Sequence, residues 1–472
     1  MVTHAAANSF RPSVTFWGAA QTVTGSMHLV EFGKHKLLLD CGLFRGPRNE
    51  AKLRNSRFPF HPDAIDAVIL SHAHVDHCGN LPNLVRQGFR GPIYCSPATR
   101  DLLEVILTDS ARIQADEAHQ ARTLHAGAAE NDVYDTFRYD AAQTIRQCVA
   151  VAYDHPTAVS DDIQVRLVDA GHILGSAMVH LTMTKAGNDY TITFTGDLGR
   201  RGLPFLRNPA PVPPADLLLC ESTYGGRTHQ TLEELSGLFR KTANETHARG
   251  GKVLIPAFSL GRTQVVVHYV RRWMAAGLLP SMPIYVDSPL ADDIAQIYRD
   301  YPESLDRGSF EEHGDPDFLD GPVIHYIRTP AQSQQLAMER DPCIVVASGG
   351  MCDGGRIIRH LKQNLDDPRC SLVLVSYQAA HSLGRQLLDM TPTVRFHGRN
   401  WNKWLEVVEL NGLSGHADQD DFLAFLGPLA GKIGRVRLVH GDLAAGEALA
   451  KGLRAVGHSD VSVPLPGETI TL

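Results

Sequence analysis

Three imidazoles and a carboxylate fall within six consecutive positions of this chain. They are His72, His74, Asp76 and His77, in the stretch Ser71-His72-Ala73-His74-Val75-Asp76-His77-Cys78-Gly79. The apolar run Ala67-Val68-Ile69-Leu70 leads straight into them. A run of that kind stopping at a polar cluster reads as a buried strand that delivers side chains to a loop at its end. Neutral imidazole nitrogens and a carboxylate oxygen are the donors that suit zinc in a catalytic site. A lone His-x-His would mean little, because histidines often satisfy ordinary hydrogen bonds. So many ligand-type residues rarely gather without a metal, and a plain polar loop is the weaker reading.

Other polar residues end other apolar runs. A first strand at 14–17 and a hairpin of 27–32 with 36–39, turning at Gly33-Lys34, lead to Asp40. A strand at 163–168 leads to His172, and a hairpin of 177–183 with 190–195 leads to Asp197. Glu221 closes the run Leu217-Leu218-Leu219-Cys220. His416 sits in Leu413-Ser414-Gly415-His416-Ala417-Asp418 ahead of a helix at 420–429, and His440 ends a strand at 435–439. Between these, helices are expected at 80–87 and from Ser96-Pro97 to about 128, the latter opened by a Ser cap with Pro in its first turn. Alone, each strand-end residue would be ordinary.

From about residue 222 to 395 the pattern changes to short apolar runs, each followed by a helical stretch. That alternation predicts a parallel sheet flanked by helices. Such sheets bind ligands beyond the carboxyl ends of their strands. Those ends carry Ser259 and Arg262, then Ser348, Gly349 and Arg356, then His381, Ser382 and Arg385. Most lie in glycine loops that open helices, where backbone N–H groups face anions. No Gly-Lys-Ser/Thr ending is present, so ATP is not inferred. Tight turns without a ligand are the competing reading. Trp404 to Glu409 again looks strand-like. The domains are therefore expected as 1–221, an insert at 222–395, and 396–472 returning to the first.

The length of 472 residues predicts two or more domains, and the apolar and charged fractions of 43% and 21% are those of a globular protein. No apolar run approaches the ~20 residues that cross a bilayer, and the first ten residues lack the pattern of a signal peptide, so a cytoplasmic protein without a membrane partner is expected. The eight cysteines include no Cys-x-x-Cys pair, which fits buried, reduced thiols; Cys78 and Cys352 adjoin motifs as packing residues. The net charge of -7 excludes a uniformly basic surface but not a basic groove.

The histidine cluster, preceded by Asp40 and followed by His172 and Asp197, resembles the signature of the metallo-β-lactamase superfamily. Glu221, His416 and His440 resemble motifs A, B and C of its β-CASP nucleases, the group that contains the pre-mRNA 3′-end endonuclease and bacterial ribonucleases. Residues 16–26 and 350–356 are similar to the bacterial RNA-processing members. The resemblance runs from about residue 14 to 445. It implies an α/β fold, an αββα sandwich with an inserted β-CASP domain. It also implies two zinc ions per chain, one held by His72, His74 and His172, the other by Asp76, His77 and His440, with Asp197 bridging. Asp40 would orient its neighbours, and Glu221 would hold His416 as the general acid. In place of the usual Gly-Thr before Leu-Gly-Arg, this chain has His381-Ser382.

The activity implied is hydrolysis of single-stranded RNA by a two-metal hydroxide mechanism, leaving a 5′-phosphate and a 3′-hydroxyl. Endonucleolytic and 5′-exonucleolytic modes stay open, as does a homodimer. A DNA nuclease of the same family, a small-molecule hydrolase and a non-catalytic RNA-binding homologue are the alternatives. His440 resembles the RNA-acting branch.

Overall fold

A computed structural model of the chain describes residues 11–123, 130–203, 205–306, 318–376, 378, 382–389, 391–410 and 412–472. The chain folds as two compact units. One comprises Met1–Thr228 with His416–Leu472, the other His229–Gly415.

The first unit holds two seven-stranded sheets. One runs, edge to edge, Thr469–Thr471, Ser13–Phe16, His28–Phe32, His35–Leu39, Ala67–Ile69, Ile93–Cys95 and Cys148–Ala150. It is antiparallel as far as His35–Leu39 and parallel beyond. The other runs Val461–Ser462, Arg435–Val439, Leu217–Glu221, Asn188–Phe194, Ala177–Lys185, Ile163–Asp169 and Thr157–Ser160. Alternate residues of the strands meet between the sheets. Val14 and Phe16, Leu37 and Leu39, Val179 and Leu181, and Leu217 and Leu219 share one buried cluster, as the two-residue period of a strand requires. The back of the second sheet buries Met178, Leu218 and Leu438 against Phe422 and Leu426 of the helix Gln419–Leu426 and Leu449 and Leu453 of the helix Leu443–Ala455. A strand covered on both faces must be apolar throughout, which is why 217–220 carries no polar residue.

Where one long helix was expected after Ser96, there are two, Pro97–Thr123 and Glu130–Arg146, packed on each other. Residues 124–129, where the predicted helix ended, lie outside the described residues. Among the described residues no helix is long and apolar enough to cross a membrane.

The second unit is built on six parallel strands, ordered Ile324–Tyr326, Ile284–Asp287, Ile344–Ser348, Val253–Ala257, Ser371–Leu374 and Glu406–Glu409. One face buries Leu254, Val345 and Leu372 with Ile357 and Leu361 of the helix Ile357–Asn364. The strand Glu406–Glu409 adds to this sheet, Val407 lying opposite Leu372, so the insert reaches beyond residue 395 to Gly415.

Candidate metal centre

Strand ends of the first unit converge on one buried centre. The strand Ala67–Ile69 runs parallel between His35–Leu39 and Ile93–Cys95. It releases Ser71 to His74 into a loop that turns into the short helix Val75–Cys78. The strand Asn188–Phe194 delivers Asp197 from the facing sheet. Gly196 permits the approach, since a Cβ there would stand 2.6 Å from that of Ser71.

Hydrogen bonds fix the protons of three rings. Ser71 Oγ donates to Asp40 Oδ2 at 2.9 Å, so it accepts from His72 Nδ1 at 3.0 Å. His77 Nδ1 donates to Asp40 Oδ2 at 2.7 Å. Thr223 Oγ1 donates to the His440 carbonyl at 2.8 Å and so accepts from His440 Nδ1 at 3.1 Å. In each ring the proton sits on Nδ1, and Nε2 turns a lone pair inward.

Two trios result. His72 Nε2 and His172 Nε2 lie 3.1 and 3.3 Å from His74 Nδ1. His440 Nε2 lies 3.1 Å from His77 Nε2 and 3.5 Å from Asp76 Oδ2. Asp197 stands between them. Its Oδ2 is 3.4 and 3.5 Å from Nε2 of His72 and of His172, while its Oδ1 is 3.3 Å from His77 Nε2 and 3.3 Å from His440 Nδ1, the protonated side of that ring. Oδ1 is buried yet accepts no well-directed hydrogen bond. Facing lone pairs repel unless a cation lies among them, so the donor set fits a pair of divalent ions.

Electrostatics agree at the first trio. Burial lowers His72 to about 3, His74 to about 4 and His172 well below its ordinary value, leaving neutral ligand forms. Burial works against charge on Asp76 and Asp197, but the surrounding imidazoles hold both carboxylates well below the usual range. Burial also opposes a charged His77, and Asp197 with Asp40 outweighs it and raises that ring. Asp40 and His440 have φ of +58° and +47°, conformations that side-chain-bearing residues take where surrounding contacts hold them.

Beside the trios, His416 Nδ1 lies 3.0 and 3.1 Å from the two oxygens of Glu221 and 3.9 Å from Asp197 Oδ2. Glu221 is fully buried and accepts the Leu198 N–H at 2.6 Å. The loop carrying His416 is pinned by Ala417 N–H to the Leu198 carbonyl at 2.7 Å. Burial opposes charge on His416, and Glu221 and Asp197 overcome it, raising the ring to about 9.

All the predicted metal and acid residues thus meet in one unit. Ser71 and Thr223, which set the tautomers of His72 and His440, were not singled out from the sequence. Serine and threonine near a strand end carry no signal until the fold shows what they touch. Cys78 is buried, and burial with Asp76 raises its thiol well above the ordinary value; burial likewise raises Cys352 to about 12. Neither suits nucleophilic work.

The predicted substrate contacts lie in the insert. Ser259, Arg262, Ser348 and Gly349 follow the adjacent strands Val253–Ala257 and Ile344–Ser348. Leu383 N–H on Asp353 at 2.7 Å and Gly384 N–H on the Met351 carbonyl at 3.0 Å join their loop to that of Ser382 and Arg385. Arg356 does not stand ready for a phosphate. Its guanidinium donates to Asp287 at 2.6 Å and to the carbonyls of Ile327 and Arg328 at 2.8 and 2.7 Å. Ser382 Oγ caps the helix Leu383–Leu388. His381 lies outside the described residues.

The metallo-beta-lactamase superfamily pattern matches residues 21–225, the Beta-Casp domain 263–387, and the Zn-dependent metallo-hydrolase RNA specificity domain 405–464. A ribonuclease of Thermus thermophilus is 35% identical over 96% of this chain and 98% of its own. This chain belongs to the β-CASP family of the metallo-β-lactamase superfamily. Transcription termination factor FttA of Cenarchaeum symbiosum is 30% identical over 98% of this chain and 71% of its own, and that of Pyrococcus horikoshii 33% identical over 88% and 63%. The crystal structure of a protein of unknown function from Enterococcus faecalis covers 98% of this chain and 100% of its own with a TM-score of 0.53 at 14% identity, a likeness of fold.

Proposed function

We propose that this β-CASP protein is a zinc-dependent ribonuclease that hydrolyses single-stranded RNA to 5′-phosphate and 3′-hydroxyl ends. The observation that carries the chemistry is Asp197, which offers one oxygen to each of two buried ligand trios with the Glu221–His416 pair at its side. The ribonuclease relative and the RNA specificity domain match support RNA as the substrate.

His72, His74, His172 and Asp197 would hold one ion, and Asp76, His77, His440 and Asp197 the other. Zinc held there supplies an acidified water near neutral pH and offsets charge on the attacked phosphate. The protein does the rest. Asp40, Ser71 and Thr223 keep the lone pairs aimed inward. Glu221 accepts the hydrogen bond of His416 Nδ1–H, so Nε2 is the atom that passes a proton to the leaving 3′-oxygen. Cations beside Asp197 would offset part of its charge and so lower His416 from about 9 toward neutrality, where an acid both holds and releases a proton. Ser259, Arg262, Gly349 and Arg385 are proposed to meet the RNA backbone.

The test is cleavage of end-labelled single-stranded RNA and matching DNA by the zinc-loaded protein and by His416→Ala. RNA cut by the wild type and spared by a zinc-retaining mutant is expected, and the fragment lengths separate endo from exo action. Preferential cutting of DNA, or full RNA cleavage by His416→Ala, would overturn the proposal.

A further inference from the structure

We propose that Phe258 is a stacking platform for a nucleobase of the RNA, at the carboxyl edge of the insert's parallel sheet. The proposal rests on the ribonuclease reading above and adds a base contact to it. The strand Val253–Ala257 is wholly buried, yet the next residue, Phe258, is 37% exposed.

Its ring lies on glycine. A Cβ built on Gly350 would meet three carbons of the Phe258 ring at 3.1, 3.1 and 3.3 Å. An approach to the rim would bring one or two ring carbons near and leave the third much farther away. Near-equal distances place that Cβ position over the face of the ring. One face of the phenyl group therefore looks onto the glycine, and a Cβ at position 350 would push the ring aside by a few tenths of an ångström.

Both sides of this contact are pinned. The Phe258 carbonyl accepts from Thr263 N–H and Oγ1 at 3.2 and 2.8 Å, and the Gly350 carbonyl accepts from Gln378 Nε2 at 2.9 Å. An exposed apolar ring at the strand ends where parallel sheets take ligands has the composition of a surface for single-stranded nucleic acid. A base offers a flat π-face to such a ring whatever its identity. Stacking adds no charge, so it suits a chain whose net charge is -7.

The experiment measures binding of a short fluorescein-labelled single-stranded RNA to the full chain carrying His416→Ala, which blocks turnover. Phe258→Ala, Phe258→Leu and Phe258→Trp are added to that background, and an abasic position is walked along the RNA. Loss of one stacked base predicts roughly tenfold weaker binding for Phe258→Ala and Phe258→Leu, with Phe258→Trp near the parent. One abasic position should weaken the parent by a similar factor and leave Phe258→Leu unchanged. The salt dependence should be the same in all variants, since no phosphate contact is removed. RNA binding within twofold of the parent in Phe258→Leu, or equal abasic penalties in parent and Phe258→Leu, would overturn the inference alone. Absence of RNA binding by the parent would overturn the ribonuclease reading and this inference with it.

Discussion

Replacing Asp40 by Asn changes one atom that touches no candidate ligating atom, yet it should weaken one ion selectively. Asp40 Oδ1 accepts the Ser71 N–H at 2.8 Å, so the amide oxygen of Asn would take that place. The amide nitrogen then replaces Oδ2, which accepts from Ser26 Oγ at 3.0 Å, Ser71 Oγ at 2.9 Å and His77 Nδ1 at 2.7 Å. Hydroxyls can reverse and accept. The imidazole can do so only by moving its proton to Nε2, the atom 3.1 Å from His440 Nε2 and 3.3 Å from Asp197 Oδ1. A proton there removes one lone pair from the Asp76–His77–His440 trio. Loss of the partner that orients a ligating histidine typically costs 10–100-fold in metal affinity, about 1.4–2.7 kcal/mol. The assay is zinc per chain across a chelator series, with circular dichroism as the check on folding. One of two release curves should shift by that factor while the other stays in place. Two unshifted curves would refute the tautomer argument.

Glu221→Gln removes the charge that helps raise His416, so the alkaline limb of the kcat/KM–pH profile should move to lower pH; a limb that stays put would separate His416 from the acid role. Burial raises Asp169 to about 6. Between the ordinary carboxylate value and that point the folded chain keeps a proton that the unfolded chain has released, so stability is full at acid pH and falls by about 3 kcal/mol as pH rises through 6. Denaturant unfolding of wild type and Asp169→Asn at several pH values should show a difference that grows over that window, and parallel curves would contradict it. Asp287 is fully buried and accepts from Arg356, His360 and Ser333 at 2.6, 2.7 and 2.5 Å. Asp287→Ala strands the half-buried Arg356 guanidinium and the fully buried His360 ring and should cost about 3 kcal/mol of insert stability in denaturant unfolding.

Much of the centre was legible because its parts are local. His72, His74, Asp76 and His77 are delivered by one strand and one turn, so their spacing alone announces a ligand cluster. The apolar alternation around Asp40, His172, Asp197 and His440 placed each at a strand end, and strand ends on one side of a sheet are neighbours whatever the loops do. The strand–helix rhythm of the insert fixed a parallel sheet for the same reason, since crossovers of that length leave few other pairings.

Tertiary structure alone decided the rest. Each trio could be guessed, but which oxygen of Asp197 faces which trio depends on two sheets meeting across Gly196 and Ser71. Ser71 and Thr223 gained their role from partners that are distant in the chain or held by its folding. Arg356 looked like an anion contact in a glycine loop, yet a carboxylate from another strand, Asp287, had already claimed it. Glu406–Glu409 read correctly as a strand, but a strand's pattern states only that it needs a neighbour. The backbone groups it pairs with carry no sequence label, and the open edge at Ser371–Leu374 was created by the fold.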